Sequence, residues 1–336
     1  MLSRRNLIKA LGVLFLTAAG GASLWEAWQQ IRSLQPDVLP VTPVLPDREL
    51  LFSFFLLSDI HMSTTVSAME EKLKLALADI SRFSIPVQSV VLGGDLVDGG
   101  REDEYQLLGR IFAEYKLPTL YGNMGNHEYY DIWYDERGGW SKETVPNGKT
   151  DATARERFMR FMGHEDRPYY DVWVNGVHLI MLSQEAYIQE KPDVGEGAWY
   201  SDAQLAWLEK QMRSHADGKP VFIFIHQPLP PIGQDGGSHR LIPAREFRRI
   251  LAPYRNVFVL SGHTHRNFEA DEHYVRDATF HWFTNASVGK TRAVGPVQTP
   301  VQGLYVQVYR DQVVLLGREF SSRTWIKRAE WAIQLV

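Results

Sequence analysis

Leu51-Phe52-Ser53-Phe54-Phe55-Leu56-Leu57-Ser58-Asp59-Ile60-His61 decides how this 336-residue chain is read. Positions 51–57 lack the polar alternation of a half-exposed strand, so they predict a strand buried on both faces. Two residue types that ligate metals follow at once. On extended backbone Asp59 and His61 would share one side and grip a single ion. Taken alone, the D-x-H spacing reads rather as a solvated strand end.

The arrangement recurs along the chain. Residues 89–92 lead into Gly93-Gly94-Asp95-Leu96-Val97-Asp98, and 117–121 into Gly125-Asn126-His127-Glu128. Residues 221–225 lead into His226, and 257–260 into Gly262-His263-Thr264-His265. Between the motifs, Leu73, Leu77, Ile80 and Phe83 recur at helical spacing, as do Tyr105, Leu108, Ile111 and Tyr115 within 102–116. Ser201 and Gln204 have the spacing of a capping box ahead of Leu205, Leu208 and Met212. Strands alternating with helices predict a mainly parallel core sheet whose ligands gather at the carboxyl ends of its strands.

Two regions break the rhythm. Residues 129–171 are rich in Tyr and Trp among glycines and charges, and are expected to form a lid or specificity insertion. Asn175-Gly176 predicts a hairpin within 172–182, and 304–309 with 313–316 predict another antiparallel pair, so a second sheet is expected.

Each polar residue has a plain structural reading. Asp95 suits a helix cap, Asn126 a turn, and His127 a buried imidazole. The set argues otherwise: five of the chain's eleven histidines, with Asp59, Asp95, Asp98 and Asn126, all follow apolar runs. Glycines beside them allow close backbone approach, and an aspartate such as Asp95 can bridge two cations. Oxygen and nitrogen donors without cysteine suit two ions of Mn, Fe or Zn.

In the order D-x-H, G-D-x-x-D, G-N-H-E, H and G-H-T-H, these motifs resemble the calcineurin-like metallophosphoesterase superfamily. The resemblance runs from Asp59 to His265 and implies an α/β fold, a two-sheet β-sandwich core flanked by helices (αββα). It implies that Asp59, His61, Asp95 and His265 hold one metal, and that Asp95, Asn126, His226 and His263 hold the other. His127 would face the leaving-group oxygen, with Asp98 orienting its imidazole. A phosphomonoester or phosphodiester would be hydrolysed by in-line attack of a metal-bridging hydroxide, the ions lying about 3.5–4 Å apart. Purple acid phosphatases carry a tyrosine where this chain has Asp98, so a colourless protein is expected. The motif spacing is similar to that of bacterial cyclic-nucleotide-phosphodiesterase-type enzymes. A different reading is an idle metal-binding envelope module on the same fold, against which the intact His127 and Asp98 speak.

Outside the motifs, His239 and Arg240 are phosphate-contact candidates or else solvated loop cations. His164, His178, His215, His273 and His281 have no motif context and are read as structural.

Ser3-Arg4-Arg5-Asn6-Leu7-Ile8-Lys9 resembles the twin-arginine export motif and leads into an uncharged apolar stretch. Residues 1–26 are therefore expected to be a signal peptide or an N-terminal anchor, with the twin-arginine export machinery as a partner. That places the protein outside the cytoplasm and leaves room for membrane association through the N-terminus. Pro36, Pro40, Pro43 and Pro46 make 27–49 an extended tether, and one catalytic domain is expected over 50–336. A formal net charge of −4 with no long basic run excludes a nucleic-acid grip. The absence of cysteine excludes disulfides and a thiolate metal site.

Overall fold

β1 (Leu50–Leu57) is buried on both faces, as its apolar run requires. Phe52, Phe54 and Leu56 enter one core while Phe55 and Leu57 enter another, the alternation of a pleated strand. The computed structural model describes residues 48–270, 273–292, 295 and 299–336. The signal and most of the tether read from the sequence lie outside the described residues.

β1 pairs in parallel with β2 (Ser89–Gly93), and β2 with β3 (Thr119–Asn123). On its other side β1 pairs antiparallel with β10 (Gln302–Tyr309), which continues to β11 (Gln312–Glu319) and β12 (Thr324–Gln334). The second sheet runs β4 (Tyr170–Val174), β5 (Val177–Met181), β6 (Val221–Phe224), β7 (Val257–Ser261), β9 (Phe280–Thr284), β8 (Tyr274–Asp277). Its centre is parallel and its two edges are antiparallel.

The sheets meet face to face through aromatic packing. Phe54 lies against Phe222 and Phe224 with ring centroids 5.4 and 5.7 Å apart, both edge-on. Helices α1 (Ser67–Ile80), α2 (Glu102–Ala113) and α3 (Asp151–Met162) cover the outer face of the first sheet. Helices α4 (Asp202–Met212) and α5 (Ala244–Leu251) cover that of the second. The result is the αββα sandwich.

Several expectations need correction. The sheets are mixed rather than mainly parallel, because β10–β12 and the hairpin β4–β5 add antiparallel edges. The pair at 304–316 extends the first sheet and does not found the second; β8, β9 and β12 were not legible. The capping box forms only half. Ser201 Oγ accepts the Gln204 N–H at 3.1 Å, but the Gln204 carboxamide turns inward to Ser183, and Glu185 takes the Ser201 N–H. Buried demand at Ser183 outweighs the local cap. The 129–171 insertion itself is built from a 3-10 helix (His127–Trp133) and α3, with Trp133 packed on Tyr187.

The parallel strand ends of both sheets are stitched together at one edge. Asn285, past β9, donates to Leu56 O at 3.2 Å and to Ser58 Oγ at 3.0 Å. Asn123, at the end of β3, donates to Leu182 O at 3.0 Å. Every motif-bearing loop therefore opens on the same place.

Arg318 of β11 makes a paired contact with Asp79 of α1 at 2.8 and 3.1 Å, both residues being buried. Asp79→Ala strands a buried guanidinium, so urea denaturation should show a loss of about 3–5 kcal/mol with metal uptake at the motif edge retained.

Candidate metal centre

Asp59 and Asp95 are fully buried at the ends of β1 and β2. Each spends one carboxylate oxygen on a backbone amide of another motif: Asp59 Oδ1 accepts the His263 N–H at 2.9 Å, and Asp95 Oδ1 the His127 N–H at 3.0 Å. Asp59 Oδ2 and His263 Nδ1 are buried without a hydrogen-bond partner, and the buried Asp95 Oδ2 faces His226 Nε2 at 3.0 Å. Buried polar atoms are normally satisfied. Unpartnered Asp59 Oδ2 and His263 Nδ1, beside the buried Asp95–His226 pair, are the signature of a site built for cations.

The ligand atoms converge accordingly. Those of Asp59, His61, Asp95 and His265 all lie within 4.8 Å of one another, and so do those of Asp95, His226 and His263. His61 Nε2 and His265 Nε2 are 2.9 Å apart, and His226 Nε2 is 3.0 Å from Asp95 Oδ2. Asp95 belongs to both groups. The residues present thus fit two ions sharing one aspartate, with Asn126 next to the second group.

Backbone geometry explains how neighbouring side chains reach one point. Asp59, His61, Asp95, His263 and His265 have φ of 53°, 50°, 51°, 69° and 56°, the left-handed region that costs a non-glycine residue roughly 1–3 kcal/mol. The extended backbone expected at Asp59 and His61 is therefore not what forms. Hydrogen bonds over-determine the turns: Asp59 N–H reaches Gly94 O at 3.1 Å, His61 N–H reaches Asp95 O at 3.0 Å, and Gly289 N–H reaches Asp59 O at 3.0 Å. Gly94 and Gly125 line the space around His226. A Cβ would stand 2.4 Å from His226 Nδ1 at the first and 2.5 Å from its Cδ2 at the second.

Environment sets the protonation states. Burial, then His127, pushes His61 down to about 3; burial, then His226, does the same to His263. Both stand as neutral imidazoles, the form that ligates. Burial opposes charge on His226, but the facing Asp95 and Asp59 overcome it and raise it to about 10. Its Nδ1 meets Gly93 O at 2.8 Å, which leaves Nε2 for the site. A cation there would take over the role of that proton.

His127 and Asp98 divide their work differently from the expectation. His127 Nδ1 bonds the main-chain carbonyl of Asp98 at 2.7 Å, whereas the Asp98 carboxylate is 3.6 Å away. That carboxylate instead meets His61 Nδ1 at 3.1 Å and Lys290 Nζ at 2.6 Å. Burial raises Asp98, but the hydrogen bond with His61 and the charge of Lys290 hold it well below the ordinary range. A carboxylate behind a ligating imidazole fixes its ring and raises its basicity.

Sequence reasoning named Asp59, His61, Asp95, Asn126, His226, His263, His265, His127 and Asp98, and the fold brings all nine to this edge. It missed Glu128 and Lys290. The buried Glu128 carboxylate accepts the N–H groups of Asp95, Leu96 and Gly125 at 3.1, 2.6 and 2.6 Å, tying two motif loops together. Burial, then Asp95, raises it to about 7. Lys290 follows β9, a strand end like the others, and that was its one available signal. His239 Nδ1 is 3.3 Å from His263 Nε2, while Arg240 bonds Leu229 O at 3.1 Å. His178 and His215 stack with Trp173 away from the cluster, His164 packs on Tyr170, and His273 and His281 contact neighbours in β8 and β9.

Residues 52–267 match the calcineurin-like phosphoesterase family. The chain belongs to that family. It is 24% identical over 180 residues to a probable glycerophosphodiester phosphodiesterase of Arcobacter nitrofigilis, covering 53% of this chain and 56% of that protein. It is 23% identical over 183 residues to a 3',5'-cyclic adenosine monophosphate phosphodiesterase of Escherichia coli, covering 54% and 56%. The match spans about half the length of these relatives. A purple acid phosphatase from yellow lupin seeds shares the fold, with a TM-score of 0.57 at 11% identity over 87% of this chain and 55% of that one.

Because Glu128 satisfies three buried amides at once, Glu128→Ala should destabilise the protein by on the order of 3–5 kcal/mol. Urea denaturation measures the loss, and metal uptake should weaken in the same variant.

Proposed function

We propose that this chain is an exported phosphoesterase with two metal ions that hydrolyses a phosphodiester or phosphomonoester. The convergence of buried ligand atoms into two groups that share Asp95 carries the reading. Ions held there would supply an activated water and positive charge for the phosphoryl oxygens.

The chain's own groups account for the rest. With His127 Nδ1 engaged by Asp98 O, proton transfer to a leaving oxygen falls to Nε2. Tyr130 lies on the His127 ring at 3.9 Å and limits its swing. Lys290 keeps Asp98 ionised and adds a cation to the rim.

Two curated relatives are named as phosphodiesterases, which supports the diester as the preferred substrate class. The twin-arginine-like N-terminus supports export, with metal loading before translocation. The choice between Mn, Fe and Zn follows availability, since the donor set accepts all three.

Metal-supplemented hydrolysis of bis(p-nitrophenyl) phosphate and p-nitrophenyl phosphate tests the reading, and faster turnover of the diester is expected. Asp95→Asn should abolish turnover in a protein that remains folded by circular dichroism; an active Asp95→Asn variant would overturn the site. Inactivity of the wild type on a broad phosphoester panel would favour the idle metal-binding module. His127→Asn should lower kcat about 10²–10⁴-fold while bound metal, measured by elemental analysis, stays unchanged.

A further inference from the structure

Asn126 would give the second metal position its neutral oxygen only if its side-chain amide is turned the right way. An amide presents oxygen and nitrogen with nearly the same shape, so the surroundings must choose. We propose that Glu196 makes that choice and is the positioning residue of the second metal position. This rests on the two-metal reading above.

The contacts are direct. Asn126 Nδ2 donates to Glu196 Oε2 at 2.7 Å and to Tyr130 Oη at 3.1 Å. Tyr130 Oη donates to the same carboxylate oxygen at 2.7 Å, and Tyr187 Oη donates to Oε1 at 2.9 Å. A carboxylate offers acceptors only. The NH₂ group of Asn126 must therefore face Glu196, and Oδ1 is left facing away, where the long 3.4 Å approach of Gln227 Nε2 is its one neighbouring donor among the described contacts.

The segment that carries Glu196 is held firmly. Ala198 N–H bonds Arg240 O at 3.0 Å, Ile242 N–H bonds Ala198 O at 2.9 Å, and Gln227 Nε2 bonds Glu196 O at 3.2 Å. Gly197 permits this contact, since a Cβ there would stand 2.4 Å from Gly237 O. The loop after His226 thus presses Glu196 against Asn126, coupling two motifs through a residue that belongs to neither. Tyr130 extends the effect: the ring that Glu196 anchors is the one lying on His127.

The test is Mn²⁺ binding to the metal-free full chain, followed by calorimetry and electron paramagnetic resonance, which needs no substrate. Wild type should bind two ions. Glu196→Ala should weaken one of them about 10–100-fold and leave the other, held by Asp59, His61 and His265, unchanged. Glu196→Gln keeps an acceptor oxygen and should recover most of the loss. In an Asn126→Ala background, Glu196→Ala should have no further effect, because the group it orients is gone. Equal weakening of both ions, an unchanged second ion, or full additivity with Asn126→Ala would each overturn the positioning role. Wild type that binds a single ion would instead sink the two-metal reading itself.

Discussion

Two aspartates, Asp59 and Asp95, lie fully buried, Asp59 Oδ2 with no hydrogen-bond donor and Asp95 Oδ2 with only the His226 imidazole at 3.0 Å, and the motif edge of the molecule is arranged around that deficit. An isolated buried carboxylate is expensive, so its surroundings must supply positive charge. The protein answers in part: His226 stands protonated against Asp95, while His61 beside Asp95 stays neutral and His265 lies 3.3 Å from Asp59. None of these is long enough or numerous enough to satisfy every lone pair, and the remaining demand is what makes the site cation-binding. A fold that satisfied all these atoms internally would have no reason to take up metal.

Meeting that geometry requires unfavourable backbone. Five ligating side chains leave residues in the left-handed region, clustered at three of the motif loops. Such strain persists only where the scaffold over-determines it. Here the scaffold is the parallel ladder itself. The β1 and β2 loops continue side by side past their strands, Met62 bridging to Val97, and Ser58 bridges to Ser287 in the segment that follows β9. Rigid, doubly buried strands deliver the ligands, while their kinked ends aim them.

Around the cluster sits a ring of residues that orient the ligands. Asp98 serves His61 with its side chain and His127 with its main chain, so one residue sets both a ligand and the candidate proton donor. Glu128 clamps the second and third motif loops from below, and Glu196 approaches from the segment before α4, which the loop after His226 holds in place. All three are carboxylates that accept rather than ligate. Their placement shows why the ligands alone are an incomplete description of this centre.

The strands of 51–57, 89–92, 221–225 and 257–260 were legible because doubly buried strands read as continuous apolar runs, and the ligands were legible because each follows such a run. The mixed sheet order was not, since β10 reaches β1 across more than the whole intervening catalytic segment and no local pattern encodes that pairing. Nor was the role of Glu196 or Lys290, isolated charges with no periodicity around them. The sequence by itself determined the family, the ligand types and their strand-end positions, because those depend on residue chemistry and local spacing. Only the tertiary structure decided which oxygen of each aspartate is left to the ligand cluster, which way Asn126 turns, and that Asp98 supports His61 with its carboxylate. Those depend on hydrogen bonds between residues far apart in the chain, where the outcome is set by which donors the fold brings within about 3 Å.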